Sequence, residues 1–166
     1  MMTQDDRVWL EMALDEARMA ATEGEVPIGA VLVRDGQILS RSRNAMERLQ
    51  DCTAHAEMLA ISQASRTLDS WRLDGATLYV SLEPCPMCAG AILNSRVARV
   101  VFAAYDHRLG ACGTHWNIPG TNPIHRSVEV VGGVMQEEGA GLLKQFFREL
   151  RDGTRESSRT RRMPSG

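Results

Sequence analysis

Between residues 7 and 22 apolar side chains return at helical spacing. Trp9, Met12, Ala13, Ala17 and Ala20 share one face while Glu11, Asp15 and Arg18 lie off it, which predicts an amphipathic helix ended by Gly24. The next stretch, VPIGAVLV at 26–33, is continuously apolar and rich in β-branched residues, and predicts a central strand. Asp35-Gly36 predicts a hairpin turn into QILSRSR at 37–43, a more polar strand nearer a sheet edge. Thr53 stands where it would cap a helix running to about residue 67, with Met58, Leu59, Ile61 and Leu68 as apolar positions. ATLYVSL (76–82), ARVVFAA (98–104) and RSVEVVGG (126–133) predict three further strands. Pro84 and Pro86 fit just before and inside the start of a short helix at about 86–95. A last helix at about 136–151 carries Leu142, Leu143, Phe146, Phe147 and Leu150. Strands alternating with helices imply an α/β layered domain on a mixed five-stranded sheet, its first hairpin antiparallel and its later crossovers favouring parallel pairing.

The 166 residues fit one domain, expected over 1–152, and a polar tail at 153–166 expected to be disordered. Residues 105–125 form the one long irregular connection, a length usually reserved for function or mobility. A hydrophobic content of 43% and a charged content of 24% are those of an ordinary globular protein, and a net charge of −2 decides nothing about a nucleic-acid partner. The charge is not evenly spread: from Arg148 onward there are six arginines against Glu149, Asp152 and Glu156, a local excess that suits a phosphate backbone and equally a solvated tail. MMTQDDRVWL lacks a basic start followed by an apolar run, so a secretory signal is not expected, and no stretch is apolar enough to span a membrane. A cytoplasmic setting is expected, and there a Cys-x-x-Cys pair points to metal or redox chemistry before a structural disulfide.

That pair is Cys85 and Cys88, in EPCPMCAGA; thirty residues earlier TAHAEM places His55 two positions before Glu57. Cysteines at i and i+3 on a first helical turn bring two sulfurs to one side, and His55 supplies a third ligand, which leaves the open fourth position of a catalytic zinc site. Both ligand sets begin predicted helices, where unpaired amides and the positive dipole end favour thiolate over thiol. Glu57, roughly 200° around a helix from His55, is badly placed to close the metal shell and better placed as a proton shuttle at its rim. A closed structural site would need a fourth ligand; Cys52, Cys112, His107, His115 and His125 are available, none at a telling spacing. A redox pair is disfavoured because no thioredoxin-like order of strand and helix precedes it.

His-x-Glu with Pro-Cys-x-x-Cys is the signature of the zinc nucleobase deaminases. The resemblance extends through GEVPIGAVLV, AHAEMLAI, WRLDGATLYVSLEPCPMCAGAI, SRVARVVFAAYD and FFRELR, and on these stretches the chain resembles the bacterial tRNA-specific adenosine deaminase family, within the cytidine and deoxycytidylate deaminase superfamily, from about residue 5 to 152. The resemblance implies a three-layer α/β/α sandwich of the cytidine-deaminase type. It implies conversion of the wobble adenosine of an arginine tRNA with an ACG anticodon to inosine, by a homodimer with one Zn2+ per subunit bound to the tRNA anticodon stem-loop. It makes His55, Cys85 and Cys88 the zinc ligands and Glu57 the proton shuttle. It also makes Asn44 a contact to the target base, Val26 and Pro27 the pocket wall, and the Ala56 backbone a reader of the flipped base. Asp106 then lies beside the substrate nucleotide, Arg108 stands in for a lysine charge in the same loop, and Phe146 and Phe147 belong to a last helix facing the RNA. The chain departs from the family's pattern in HRLGACGTHWNIPGTNPIHR after Asp106, where His115-Trp116 is unusual. Because substrate choice would be made there, a deaminase of free guanine, cytosine or a nucleoside on the same fold is the alternative. A non-catalytic, zinc-stabilised RNA-binding module is the third reading, and Glu57 argues against it.

Overall fold

A computed structural model describes residues 1, 3–121 and 128–155. Its elements run α1 (Gln4–Thr22), β1 (Gly29–Arg34), β2 (Gln37–Arg43), α2 (Met46–Leu49), α3 (Ala56–Thr67), β3 (Thr77–Leu82), α4 (Pro86–Asn94), β4 (Arg99–Ala104), β5 (Glu129–Val131) and α5 (Gln136–Arg151). The first helix begins earlier than its apolar period indicates because Thr3 and Asp6 form a capping box, each side chain answering the other's backbone amide. The α2 turn was not legible, being four residues with no apolar repeat; it is pinned by the buried Glu25 carboxylate, which accepts from the amides of Glu47 and Arg48. The last predicted strand is shorter at its end than expected, and its predicted start at 126–127 lies outside the described residues.

The five strands form one sheet in the order β2-β1-β3-β4-β5. Two neighbouring pairs, β3/β4 and β4/β5, are parallel, whereas β1 is antiparallel to both its neighbours, β2 and β3. The expectation of parallel crossovers therefore holds for strand direction but not for every neighbour. The crossover through α3 joins β2 to β3, which run the same way, and β1 lies between them with the opposite sense.

Side chains alternate across the sheet, which explains why the inner strands read as continuous apolar runs. Ala30, Leu32, Leu78, Val80, Val100 and Phe102 meet Ala56, Ala60, Ala64, Ala89 and Ile92 of α3 and α4 on one face. Val31, Val33, Tyr79, Val101 and Ala103 meet Leu10, Ala13 and Leu14 of α1 and Met135 before α5 on the other. The result is a three-layer α/β/α sandwich. At the outer strand, the charges in QILSRSR are not idle solvent-facing positions: Arg41 and Arg43 both bind the buried Glu16 carboxylate of α1, at 3.0 and 2.9 Å.

At the other end of the chain α5 is fastened by Arg155. Its guanidinium lies over the buried Phe146 ring, pairs with Glu149 and donates to the Ala21 carbonyl at the end of α1. The rest of the tail, 156–166, lies outside the described residues.

Candidate metal and active site

Because β2, β3 and β4 run the same way and β1 the other, their carboxyl ends and the amino end of β1 share one edge of the sheet. Val26 and Pro27 precede β1, Asn44 follows β2, Cys85 follows β3, and Asp106 and Arg108 follow β4. The helices α3 and α4 start at this same edge. Open α/β sheets place ligands outside the carboxyl ends of their parallel strands, and here the topology gathers most of the sequence-predicted residues there.

His55 and Cys85 are the N-cap residues of α3 and α4, both with extended backbone and neither using its side chain to cap. The expected cap, Thr53, instead donates through its amide and hydroxyl to Asp51 in the preceding turn, so the helix starts at Ala56. Pro86 opens α4, where a missing amide hydrogen costs nothing. Freed from capping, the side chains point at each other: Nδ1 of His55 lies 3.6 Å from Sγ of Cys85 and 3.5 Å from Sγ of Cys88. The three donor atoms all fall within 4.8 Å of one another. Among the described residues no other group of three such side chains gathers in this way; Cys52, Cys112, His107 and His115 are not part of it, and His125 lies outside the described residues.

This cluster fits a zinc ion. In a tetrahedral shell with Zn–S near 2.3 Å and Zn–N near 2.0 Å, nitrogen and sulfur stand about 3.5 Å apart, which matches the 3.6 and 3.5 Å seen here. The imidazole and paired sulfurs are also the donor types zinc selects. The Cys88 thiol donates to Cys85, and that hydrogen bond, working against burial and joined by His55, brings the Cys85 thiol down to about 4. Cys88 is pushed far up by the same neighbour, by burial and by Glu57. His55 is raised by its hydrogen bond to Cys85.

Glu57 lies in contact with Cys88 and is buried, and its Oε2 has no hydrogen-bond partner. Burial lifts its carboxyl to about 7. The helical wheel that set Glu57 at the rim of the site counts His55 as a helix residue, whereas His55 lies before the helix and its side chain does not follow the wheel. An unpaired buried acceptor is expensive and rare, and here it faces a cluster fit for a metal ion.

The sequence profile of the cytidine and deoxycytidylate deaminase zinc-binding region matches residues 3–104, which contain this whole cluster. A tRNA-specific adenosine deaminase of Bacillus subtilis is 53% identical over 150 residues, spanning 90% of this chain and 92% of that one. The chain belongs to the tRNA-specific adenosine deaminase family. A solved structure from a study of A-to-I editing by tRNA:A34 deaminases at the wobble position of transfer RNA superposes with a TM-score of 0.79 at 43% identity, covering 82% of this chain and 99% of that one. A guanine deaminase of Nitrosomonas europaea shares the deaminase fold at a TM-score of 0.74 and 25% identity, over 87% of this chain and 85% of that one.

The remaining family positions are distributed unevenly. Asn44 is buried; its amide hydrogen bonds to the Ile28 carbonyl, and its side chain lies 3.5 Å from Glu25. Val26 is half-buried and Pro27 buried, immediately before that same Ile28. Ala56 is the first residue of α3, so its amide is among those with no partner inside the helix. Asp106 accepts from the Arg108 amide, and Arg108 is exposed. Phe146 and Phe147 are not brought to this edge. The start of α5 is, since the Tyr105 amide donates to Gln136, but the phenylalanines lie ten and eleven residues further on, about 15 Å along the axis.

Sequence reasoning missed Glu83. It stands at the end of β3, is 2% exposed, and accepts four hydrogen bonds from residues 23 to 31 positions later. The only signal was an acid at the end of an apolar strand beside Pro-Cys-x-x-Cys, and nothing in the sequence named its partners.

Proposed function

We propose that this protein hydrolytically deaminates the wobble adenosine of a tRNA anticodon, with an arginine tRNA bearing ACG as its substrate, giving inosine and ammonia. The observation that carries the reading is the unpartnered Glu57 Oε2 beside the His55, Cys85 and Cys88 cluster, in a chain whose kinship to tRNA deaminases runs nearly end to end. His55 through Nδ1 and Cys85 and Cys88 through sulfur would hold one zinc ion per subunit. Zinc in such an open site supplies a water nucleophile active near neutral pH.

The chain's own residues do the rest. Glu57 has an oxygen free of other duties, so it takes a proton from the incoming water and passes it to a ring nitrogen of the base. The water oxygen, now bonded to C6, gives its remaining proton to Glu57, which passes it to the amino group; the C6–N bond breaks, C6 becomes a carbonyl and the amino group leaves as ammonia. A stacked base does not present its C6 to a pocket, so the adenosine must be extruded, and an anticodon loop offers it already splayed. In this proposal the Ala56 amide at the start of α3 reads the extruded base, with Val26, Pro27 and Asn44 as wall and contact. Asp106 and Arg108 hold the flanking nucleotide and phosphate, and the exposed Phe147 leaves α5 a surface for RNA. A homodimer and a cytoplasmic setting complete the proposal and rest on the family; no helix of the described residues is long and apolar enough to cross a membrane.

Incubating the zinc-loaded protein with an ACG anticodon stem-loop, and separately with free adenosine, guanine and cytosine, tests this directly. Inosine in the stem-loop with little product from the free compounds is expected. The divergent loop after β4 and the shared fold of a guanine deaminase favour a second reading, a small-molecule deaminase. Comparable turnover of a free base would establish that reading instead.

A further inference from the structure

The second buried carboxylate near the cluster is wired in the opposite way to Glu57. Glu83 Oε1 accepts from the amides of Cys112 and Thr114, each at 3.0 Å. Its Oε2 accepts from the Asp106 amide at 3.1 Å and the Thr114 hydroxyl at 2.5 Å. A carboxylate has room for about four such donors, so none of its capacity is left for a metal or a proton in transit. Its own amide donates to the Ala104 carbonyl at the end of β4, and the next residue, Pro84, accepts from the Ala111 amide. Gly110 lies so close that a Cβ there would overlap the Glu83 carboxylate. Two residues beyond Glu83 the chain reaches Cys85.

From this wiring we infer that Glu83 is a positioning residue: it latches the loop at 106–114, which carries Asp106 and Arg108, to the turn that carries the sulfur donors. The inference rests on the deaminase reading above. A loop of this length would otherwise sample many conformations, and each donor held by Glu83 removes some of them before substrate arrives. Charge-assisted bonds of this kind are roughly twice as strong as neutral ones, and four on one buried group act together. The consequence falls on substrate binding, because the residues held are those that meet the flanking nucleotide and not those that move protons.

Glu83→Gln keeps the shape and puts an NH2 where two donors must be received. In the zinc-loaded variant without RNA, amide hydrogen exchange at Asp106, Cys112 and Thr114 should quicken tenfold or more, while zinc content stays stoichiometric. With the stem-loop, KM should rise about tenfold and kcat change less than about threefold. Thr114→Val removes one donor from the other side; it should give a smaller effect of the same kind, and the double variant should be no worse than Glu83→Gln alone. If Glu83→Gln does not fold, quickened exchange at Cys112 and raised KM in Thr114→Val carry the test. Unchanged exchange at these amides, or zinc lost together with activity, overturns the inference. Wild-type turnover of the stem-loop decides the function and amide exchange without RNA decides the latch, so each can fail alone.

Discussion

Nδ1 of His55 and Sγ of Cys88 lie 3.5 Å apart although 33 residues separate them in the chain. The contact exists because two helices start side by side at one sheet edge and neither uses its first side chain as a cap. Cys88→Ser should therefore lose zinc. Two remaining donors bind weakly, and a drop in zinc affinity beyond about 100-fold is expected, with lower thermal stability of the loaded protein. Elemental analysis of the purified variant checks it; one zinc per chain would remove Cys88 from the donor set.

Glu57→Gln should separate binding from turnover. The carboxyl has no hydrogen-bond partner at Oε2 and glutamine keeps its shape, so zinc content and melting temperature should stay close to those of the parent. Turnover of the stem-loop should fall by about 100- to 10,000-fold, the range for losing a positioned proton carrier. Zinc loss in the variant would make Glu57 a donor to the metal instead.

Asp6 predicts how stability responds to acid. It is buried at the start of α1, where burial alone would raise its carboxyl; hydrogen bonds from Arg99, the Thr3 amide and Tyr79 override that and bring it down to about 2 from an ordinary 3.8. A folded value below the unfolded one means stabilisation that is complete above pH 3.8 and is lost as pH falls through about 2. The difference corresponds to about 2 kcal/mol. Urea melts of the parent and of Asp6→Asn from pH 7 to pH 2 should converge at the acid end; a gap that stays constant with pH would show that the pairing with Arg99 carries no such stabilisation.

Gly29 marks where α1 crosses β1. A Cβ at that position would run into the Ala13 carbonyl and the Ala17 amide of α1, which are backbone and cannot swing aside. Gly29→Ala should cost about 1–3 kcal/mol, read as a lower urea midpoint with an unchanged slope. No loss of stability would mean that the helix shifts freely over the sheet.

The boundaries of β2 and α5 were legible to the residue, because a hairpin turn and a strong helical period are local signals. The grouping of His55 with Cys85 and Cys88 was legible too, since His-x-Glu and Pro-Cys-x-x-Cys are short-range patterns whose chemistry follows from the residues themselves, and the shuttle role of Glu57 remains part of the proposal. The alternation within each strand and the layered class were likewise written in the order of apolar positions. Which side chains face each other across the fold was not. The position of Glu57 against Cys88 required knowing that His55 is a cap and not a helix residue, and that is decided by where the turn before α3 places Asp51. The antiparallel seat of β1 between β2 and β3 follows from closing a hairpin inside a crossover, a pairing that no single segment encodes. Nothing local in the sequence marks Asp6, Glu16, Glu25 and Glu83 as buried. Only the tertiary structure buries them and brings Arg99, Arg43, the α2 amides and the loop after β4 to them, because a charge is tolerated in a low-dielectric interior only where distant parts of the chain deliver its partners.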